Sequence, residues 1–154
     1  QYFLELLSNP DLSTIELTTY HNLGGRDYGG SVFRNNNDTI EIQSTYNTLE
    51  LIGNIFQLDD FRVEKELTKD LIFKYKIYSG KWIRYQIVIN FSEKFYLNKN
   101  KPSKPVVINS YFSNNLFDKA NNNGKLKFRN YNMKSDFLVE CQPYSLTFTT
   151  YIID

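Results

Sequence analysis

The chain has 154 residues, of which 41% are hydrophobic, and its formal net charge is +1. This length predicts one domain with an extension, and the single cysteine excludes an intramolecular disulfide or a four-cysteine metal site. No apolar run reaches the roughly 18 residues that a membrane-spanning helix needs. Residues 1–4 lack the basic segment of a signal peptide, and we interpret the sequence as a fragment or a processed chain.

Charge is divided unevenly along the chain. Residues 1–64 contain three basic and ten acidic residues, a net charge of −7, whereas residues 65–154 have a net charge of +8. Between Lys94 and Lys134 nine basic residues accompany one acidic residue, Asp118. A basic half is typical of proteins that bind polyanions, although a solvated lysine face is the commoner cause of such a pattern.

The first 46 residues carry only short structural signals. Residues 2–9 favour a helix that ends before Pro10, and residues 14–20 and 39–43 favour short strands on either side of a turn at residues 35–38. Residues 24–30 contain four of the seven glycines and predict a flexible loop. They do not form a Walker phosphate loop, because no Gly-Lys-Ser/Thr follows. We therefore expect an N-terminal extension of short strands and a short helix, residues 1–46.

Stronger signals begin at residue 47. Residues 48–58 predict a strand bent at Gly53, and the charged residues 59–69 predict a loop. Residues 70–79 and 81–91 predict two strands that are joined by a tight turn at Ser79-Gly80.

Alternation divides the side chains of this hairpin between two faces. One face is apolar and predicts core residues: Leu71, Phe73, Tyr75, Ile77, Ile83, Tyr85, Ile87 and Ile89. The other face mixes cations, amides and aromatic rings: Ile72, Lys74, Lys76, Tyr78, Trp82, Arg84, Gln86 and Val88.

The C-terminal third predicts two more strands after a long insertion. The insertion comprises a lysine-rich loop at residues 98–104, an apolar segment at 106–112 and an asparagine-rich loop or helical turn at 113–124. Residues 125–131 and 137–153 are the last strands. Five short strands in residues 47–154 predict a mainly β protein whose domain is a five-stranded barrel of the oligonucleotide-binding (OB) type.

Four segments carry a resemblance to a known family. They are the glycine-bearing residues 49–58, the hairpin followed by Ile83-Arg84, the aromatic residues 91–96 (FSEKFY) and residues 137–148 (FLVECQPYSLTF). Their order resembles the DNA-binding OB domains of the replication protein A large subunit, including paralogues that serve telomeres. The resemblance covers residues 48–154. Residues 99–104 have no counterpart in that pattern, and the first 46 residues lie outside it.

The resemblance implies a set of residues that contact single-stranded DNA. Phe95 or Tyr96 and Phe137 match the family's base-stacking aromatics, and Arg84 lies near a family arginine. Arg62 and Lys65 fall in the loop that wraps the DNA in that family. Physical chemistry adds the mixed face of the hairpin, because stacking and phosphate contacts need flat rings and cations. The predicted nucleic-acid site is Arg62, Lys65, Lys74, Lys76, Trp82, Arg84, Phe95, Tyr96 and Phe137.

Each of these residues also has a structural explanation that the sequence leaves open. Trp82 would cap the barrel and Phe137 would belong to the core, while the lysines would lie on a solvated strand face.

The predicted function is single-stranded DNA binding in replication or telomere maintenance, in the nucleus, beside other OB domains or subunits. Two alternatives remain: an OB-fold subunit that assembles a nucleic-acid complex by protein contacts, and a sugar-binding β-sandwich. Catalysis has little support, because His21 is the only histidine and no nucleophile motif accompanies it. We expect no enzyme activity, no cofactor, no metal and no membrane.

Overall fold

The computed structural model describes residues 1–9, 24–25, 33–36, 39–42, 44–100, 106–112, 127–133 and 137–152. Two helices lie within these ranges, α1 (Tyr2–Ser8) and α2 (Ser44–Phe56). The strands in chain order are β1 (Gly24–Gly25), β2 (Phe33–Asn36), β3 (Thr39–Ile42), β4 (Phe61–Lys69), β5 (Ile72–Ser79), β6 (Trp82–Asn90), β7 (Tyr96–Asn100), β8 (Val106–Phe112), β9 (Lys127–Met133), β10 (Phe137–Cys141) and β11 (Ser145–Tyr151). The predicted mainly β class is confirmed.

Six of these strands form one antiparallel sheet in the order β4-β5-β6-β11-β8-β9. Strands β7 and β10 pair antiparallel as a separate two-stranded ribbon. Strands β1, β2 and β3 form a third, small sheet. The strands β4, β5 and β6 follow one another directly, and the last strand, β11, returns to pair with β6.

Both faces of the six-stranded sheet are covered. On one face Leu4 of α1 and Ile55 of α2 pack with residues of the sheet such as Tyr75, which we name the helix-side core. On the other face Val139 of β10 packs with sheet residues such as Val88, which we name the ribbon-side core. The sheet is therefore the middle layer between helices and ribbon, and period-two alternation sends successive side chains to different cores.

The predicted hairpin is confirmed as β5 and β6. Tyr75, Ile77, Ile87 and Ile89 lie in the helix-side core, as the alternation predicted. The connecting turn is Gly80-Lys81, one residue later than predicted, because Ser79 pairs with Trp82. Gly80 has a φ of 55°, a conformation that glycine adopts without steric cost.

Two predictions between residues 48 and 69 were wrong. Residues 48–56 of the predicted strand 48–58 belong to helix α2, where Leu51 and Ile55, four residues apart, both enter the helix-side core. Gly53 is a helical residue and not a strand bend. The predicted loop 59–69 contains strand β4, an edge strand whose charged residues face solvent while Val63 points into the core.

The C-terminal strands are more numerous than predicted. Residues 137–153 divide into β10 and β11 at a turn where Tyr144 has a φ of 49°. The apolar segment 106–112 is the sheet strand β8, and residues 98–100 of the expected lysine-rich loop belong to β7. Strand β9 begins two residues after the predicted start of its segment.

The predictions for the N-terminal residues have mixed outcomes. Helix α1 and strand β3 are confirmed, and residues 24–25 of the expected glycine loop are the strand β1. The expected strand at 14–20 and the loop at 113–124 lie outside the described residues. The expected boundary between residues 46 and 47 falls within α2, and Leu4 of α1 is 3% exposed in the helix-side core.

Glu5 attaches α1 to the sheet. Its carboxylate accepts hydrogen bonds from the Tyr75 hydroxyl and from Lys65 Nζ, the latter at 2.9 Å. Burial raises the pKa of Glu5, but the hydrogen bonds from Tyr75 and Lys65 outweigh it and hold that pKa below its ordinary value.

Strands β4 and β5 are joined by an unusual turn, Asp70-Leu71. Both residues have positive φ, 52° and 64°, and Lys69 pairs with Ile72 across them. Such two-residue turns favour Asp-Gly, because a leucine side chain collides with its own backbone at positive φ. We expect Leu71→Gly to raise the free energy of unfolding by about 0.5–1 kcal/mol, measured by urea denaturation.

A matched control separates the turn effect from the loss of an exposed leucine. Leu97 is as exposed as Leu71 (55% against 59%) but lies within β7. Leu97→Gly should lower stability, because glycine weakens a strand interior. Equal effects of the two substitutions would contradict the strain that we assign to Leu71.

Candidate nucleic-acid interface

The turn end of the β5–β6 hairpin carries two cation–aromatic pairs. The Arg62 guanidinium carbon lies 4.4 Å from the centre of the Tyr78 ring, and Lys81 Nζ lies 5.3 Å from that of Trp82. Arg62 reaches Tyr78 because β4 and β5 pair these two residues directly. We name Arg62, Tyr78, Lys81, Trp82 and Arg84 the hairpin-end surface. The strand register places Arg62 and Tyr78 on the face of Lys76 and Trp82 on the opposite face, so this surface includes both faces of the hairpin at its turn.

Trp82 is the largest exposed ring of this surface. Its exposed fraction is 53%. It pairs with Ser79, and Ser79 lies two residues after the buried Ile77 on β5. Alternation therefore places Trp82 on the face of Ile77 and not on that of Lys74 and Lys76, in contrast to the prediction that all three share one face.

Arg84 occupies a β-bulge. The pairing of β5 with β6 shifts from Tyr78–Ile83 to Ile77–Tyr85, which leaves Arg84 without a partner residue across the strands. A bulge interrupts the alternation of side chains between the two faces of a strand. The alternation pattern therefore assigned the residues before Arg84, including Trp82, to the wrong face. Among the described residues no carboxylate forms an ion pair with the half-buried Arg84.

Further aromatic rings lie near Trp82 on the same side of the hairpin. Phe61 pairs with Ser79, the residue opposite Trp82, and its ring meets the exposed Phe56 edge-on at a centroid distance of 5.5 Å. The hairpin end therefore combines flat rings with cations, the two side-chain types that contact unpaired bases and phosphates.

Lys74 and Lys76 have a different environment, because both are ion-paired to Glu66. Lys76 Nζ lies 2.9 Å from Glu66 Oε1, and Lys74 Nζ lies 3.1 Å from Oε2. Lys74 is only 8% exposed. Glu66 reaches them because a second bulge, between Lys65 and Leu67, leaves it unpaired on β4. The buried Lys74 and the half-buried Lys76 thus neutralise a carboxylate whose side chain is 32% exposed at the edge of the sheet.

The electrostatics of this ion-pair cluster follow from the short contacts. Burial raises the pKa of Glu66, but hydrogen bonds and charge from Lys76 and Lys74 outweigh burial and hold that pKa below its ordinary value. Burial lowers the pKa of Lys76, and the hydrogen bond to Glu66 more than reverses this, so that pKa is raised.

Two amides continue the cluster towards the ribbon. Gln86 Nε2 lies 3.5 Å from Glu66 Oε2, and Asn98 Nδ2 of β7 donates to Gln86 Oε1 at 2.8 Å. Within the part of the chain that the structure describes, the buried Asn98 Oδ1 has no hydrogen-bond partner. The polar chain from Lys74 to Asn98 connects the sheet to the ribbon.

The two aromatic residues predicted to stack on bases after the third strand, Phe95 and Tyr96, lie in different environments. Phe95 is 58% exposed, whereas Tyr96 is half-buried and packs against the ribbon-side core. Burial, with smaller contributions from Cys141 and Glu66, raises the pKa of the Tyr96 hydroxyl. The backbone of Phe137 pairs with Asn100 in the ribbon, and its side chain lies outside the described part of the structure.

The nine predicted residues therefore occupy several places. Arg62, Trp82 and Arg84 lie at the hairpin end, and Lys74, Lys76 and Tyr96 lie between sheet and ribbon. Lys65 is paired with Glu5 of α1. Phe95 follows the far end of β6, whose eight residue steps from Trp82 to Asn90 span about 26 Å.

Sequence reasoning omitted Tyr78, Lys81 and Glu66 from the site. The turn position signalled Lys81, but nothing in the sequence revealed the Glu66 bulge.

The ion-paired carboxylates predict a loss of stability in acid. Glu66 and Glu5 have folded pKa values below the unfolded reference of 4.5. Their contribution to stability is therefore complete above that pH and is lost as the pH falls through the folded values. We expect the melting temperature, followed by circular dichroism, to fall below about pH 4.5, and to fall less steeply in a Glu66→Gln variant. A melting temperature that stays constant down to about pH 3 would contradict the pairing.

The described residues offer no metal site, since no three of their His, Cys, Asp or Glu side chains are grouped to hold an ion. No helix among them combines the length and apolar character needed to cross a membrane. Comparisons with protein-family models, curated proteins and solved structures found no match to this chain.

Proposed function

We propose that the chain is a single-stranded DNA-binding module, and that the DNA lies across the hairpin-end surface. The observation that carries the proposal is the exposed Trp82 ring beside Lys81 at the hairpin turn. Arg62 over Tyr78 adds a cation and a ring on the opposite face of the same strand ends. Replication or telomere maintenance in the nucleus, beside other OB domains or subunits, is the setting that the sequence resemblance supports.

The proposed contacts divide into stacking and charge. Trp82 offers a wide ring to a base, and each stacked base contributes roughly 1–3 kcal/mol. In this proposal Lys81 and Arg84 meet the phosphates near Trp82. Arg62 meets them where the DNA passes around the hairpin end to the opposite face, and it can also lie flat on a base there. Lys74 and Lys76 have no comparable role in this proposal, because Glu66 already binds both ammonium groups.

We further propose that the sheet belongs to an OB-type barrel. The meander β4-β5-β6 and the return of β11 to β6 support this, as do three of the four segments that carry the resemblance. The first of the four, residues 49–58, lies mostly in helix α2 and gives no support. In a barrel of this kind the edge strands β4 and β9 would have to meet. Hydrogen exchange that protects the outer amides of both β4 and β9 is the expected result, and rapid exchange at both would contradict closure.

Fluorescence titration of labelled oligonucleotides tests the DNA proposal. Three phosphate contacts predict that the association constant falls with salt with a logarithmic slope of about −2. A duplex of the same sequence should bind more weakly, because its bases are not available for stacking. Absence of binding at low salt would refute the proposal, and a salt-independent affinity would favour the sugar-binding alternative.

A second candidate function is protein assembly within a nucleic-acid complex. It is favoured by three large apolar side chains that are each more than half exposed near and on the ribbon: Phe95, Leu97 and Leu138. Exposed apolar residues that cluster often mark protein contacts. DNA binding that survives Leu138→Lys, together with loss of a partner, would assign the two functions to different surfaces.

A further inference from the structure

The outer face of the β7–β10 ribbon presents two leucines and two charges. Alternation turns Asn98 and Val139 inward, where both are buried, and turns Leu97, Lys99, Leu138 and Glu140 outward, where all four are exposed. We name these four residues the ribbon outer face. Such alternation normally leaves polar residues on the solvent side, so the two exposed leucines need an explanation.

The register of the ribbon fixes where the four side chains stand. Glu140 pairs with Leu97, and Leu138 pairs with Lys99. The two leucines therefore occupy one diagonal of a rectangle, and the two charges occupy the other. Within the described chain neither Lys99 nor Glu140 forms an ion pair with another residue.

This arrangement is complementary to itself. When two copies of the face meet about a twofold axis along the leucine diagonal, each leucine meets its own copy and Lys99 meets Glu140 of the second molecule. An axis along the charge diagonal brings Lys99 onto Lys99 and Glu140 onto Glu140. Axes parallel or perpendicular to the strands place each leucine against a charge. Of these symmetric arrangements, the axis along the leucine diagonal is the one that gives both leucines an apolar contact and both charges an opposite charge.

We propose that the ribbon outer face is a homotypic contact by which two copies of this chain associate face to face. The two ribbons cross at about 70°, the angle that the strand spacing and residue rise give for this diagonal. The face is small compared with stable dimer interfaces, so the association is weak, with a dissociation constant on the order of 100 μM. The proposal does not depend on DNA binding, since the hairpin end lies elsewhere on β6.

Variants with exchanged charges test this contact. Their dimerisation is measured by sedimentation velocity at protein concentrations that span about two decades around the expected dissociation constant. Lys99→Glu alone and Glu140→Lys alone should each weaken dimerisation at least tenfold, because each creates two like-charge contacts in the symmetric pair. The double variant Lys99→Glu/Glu140→Lys should restore it, because the charges are then exchanged but still complementary. Leu138→Lys should abolish dimerisation.

The control is Lys69→Glu, which makes the same charge change at an exposed position of β4. It should leave the dimer unchanged, and circular dichroism should show that every variant is folded. A chain that stays monomeric throughout the series, or a double variant no better than the singles, would overturn the proposal. DNA titrations of the same variants test the DNA-binding proposal independently of the dimer. A substitution that disrupts the ribbon contact leaves Trp82 and its neighbours unchanged.

Discussion

Replacing Glu66 with glutamine is expected to lower the free energy of unfolding by about 2–4 kcal/mol. This is the order of the cost of leaving the buried Lys74 ammonium without a carboxylate partner. Glu66 neutralises Lys74 and Lys76 together, and the Lys74 side chain is only 10% exposed. Glutamine keeps the shape but removes the charge. The buried ammonium of Lys74 would then face a neutral amide, and the effect should be measurable by urea denaturation.

Glu64 provides the matched control for this substitution. It lies two residues earlier on the same strand and contacts Arg62 at 3.5 Å, with both side chains at least half exposed. Glu64→Gln should cost less than about 1 kcal/mol, as for exposed ion pairs in general. Equal losses for the two variants would show that the Glu66 cluster is solvated. Adding Lys74→Met to Glu66→Gln should recover part of the loss, because the buried charge is then absent.

Replacing Trp82 with alanine is expected to weaken single-stranded DNA binding by about 1–3 kcal/mol, roughly 5- to 150-fold, which is the usual contribution of one stacked base. The fold should be unaffected, because the ring is half exposed and lies outside both cores. Since Trp82 is the only tryptophan, its fluorescence also reports directly on the contact. Stacked bases should quench the emission of the wild-type protein as DNA is added.

Two substitutions at the same position separate stacking from simple burial of apolar area. Trp82→Phe keeps a flat ring and should retain most of the affinity, whereas Trp82→Leu should behave like alanine. Full affinity in Trp82→Ala, or DNA binding without a change in tryptophan emission, would show that nucleic acid does not contact the hairpin end. Phe95→Ala then shows whether a second stacking position exists at the far end of β6.

The sequence was informative wherever a short-range pattern had one explanation. The alternation of residues 70–91 defined the β5–β6 hairpin, because a glycine-containing turn between two alternating segments has few other structures. It also identified the residues that enter the helix-side core, with the exceptions of Leu71, which is exposed, and Ile83, which pairs with Tyr78 on the other face. The same reasoning located α1, which ends before Pro10, and β3. The sequence left open whether Trp82 caps the fold or presents its ring to solvent, and the structure places the ring in an exposed position.

The errors arose where two structures fit one pattern. Residues 48–58 contain Leu49, Leu51, Ile52 and Ile55, a spacing that suits a strand in one part and a helix in another. The apolar surface of the sheet decided the matter, because it offered Leu51 and Ile55 a common partner on one side of a helix. Charged residues 61–69 became an edge strand because β5 supplied backbone hydrogen-bond partners that a loop would lack.

The sequence by itself determined the β class, the hairpin and the abundance of rings and cations in the basic half of the chain. Only the tertiary structure decided which cations are available, because β-bulges at Glu66 and Arg84 change side-chain direction without a local sequence signal. It also placed the ribbon over the face that carries Lys74, so that this expected binding residue is buried and ion-paired to Glu66 at the edge of the sheet. Local propensity acts over a few residues, whereas burial and charge pairing depend on strands that lie far apart in the chain.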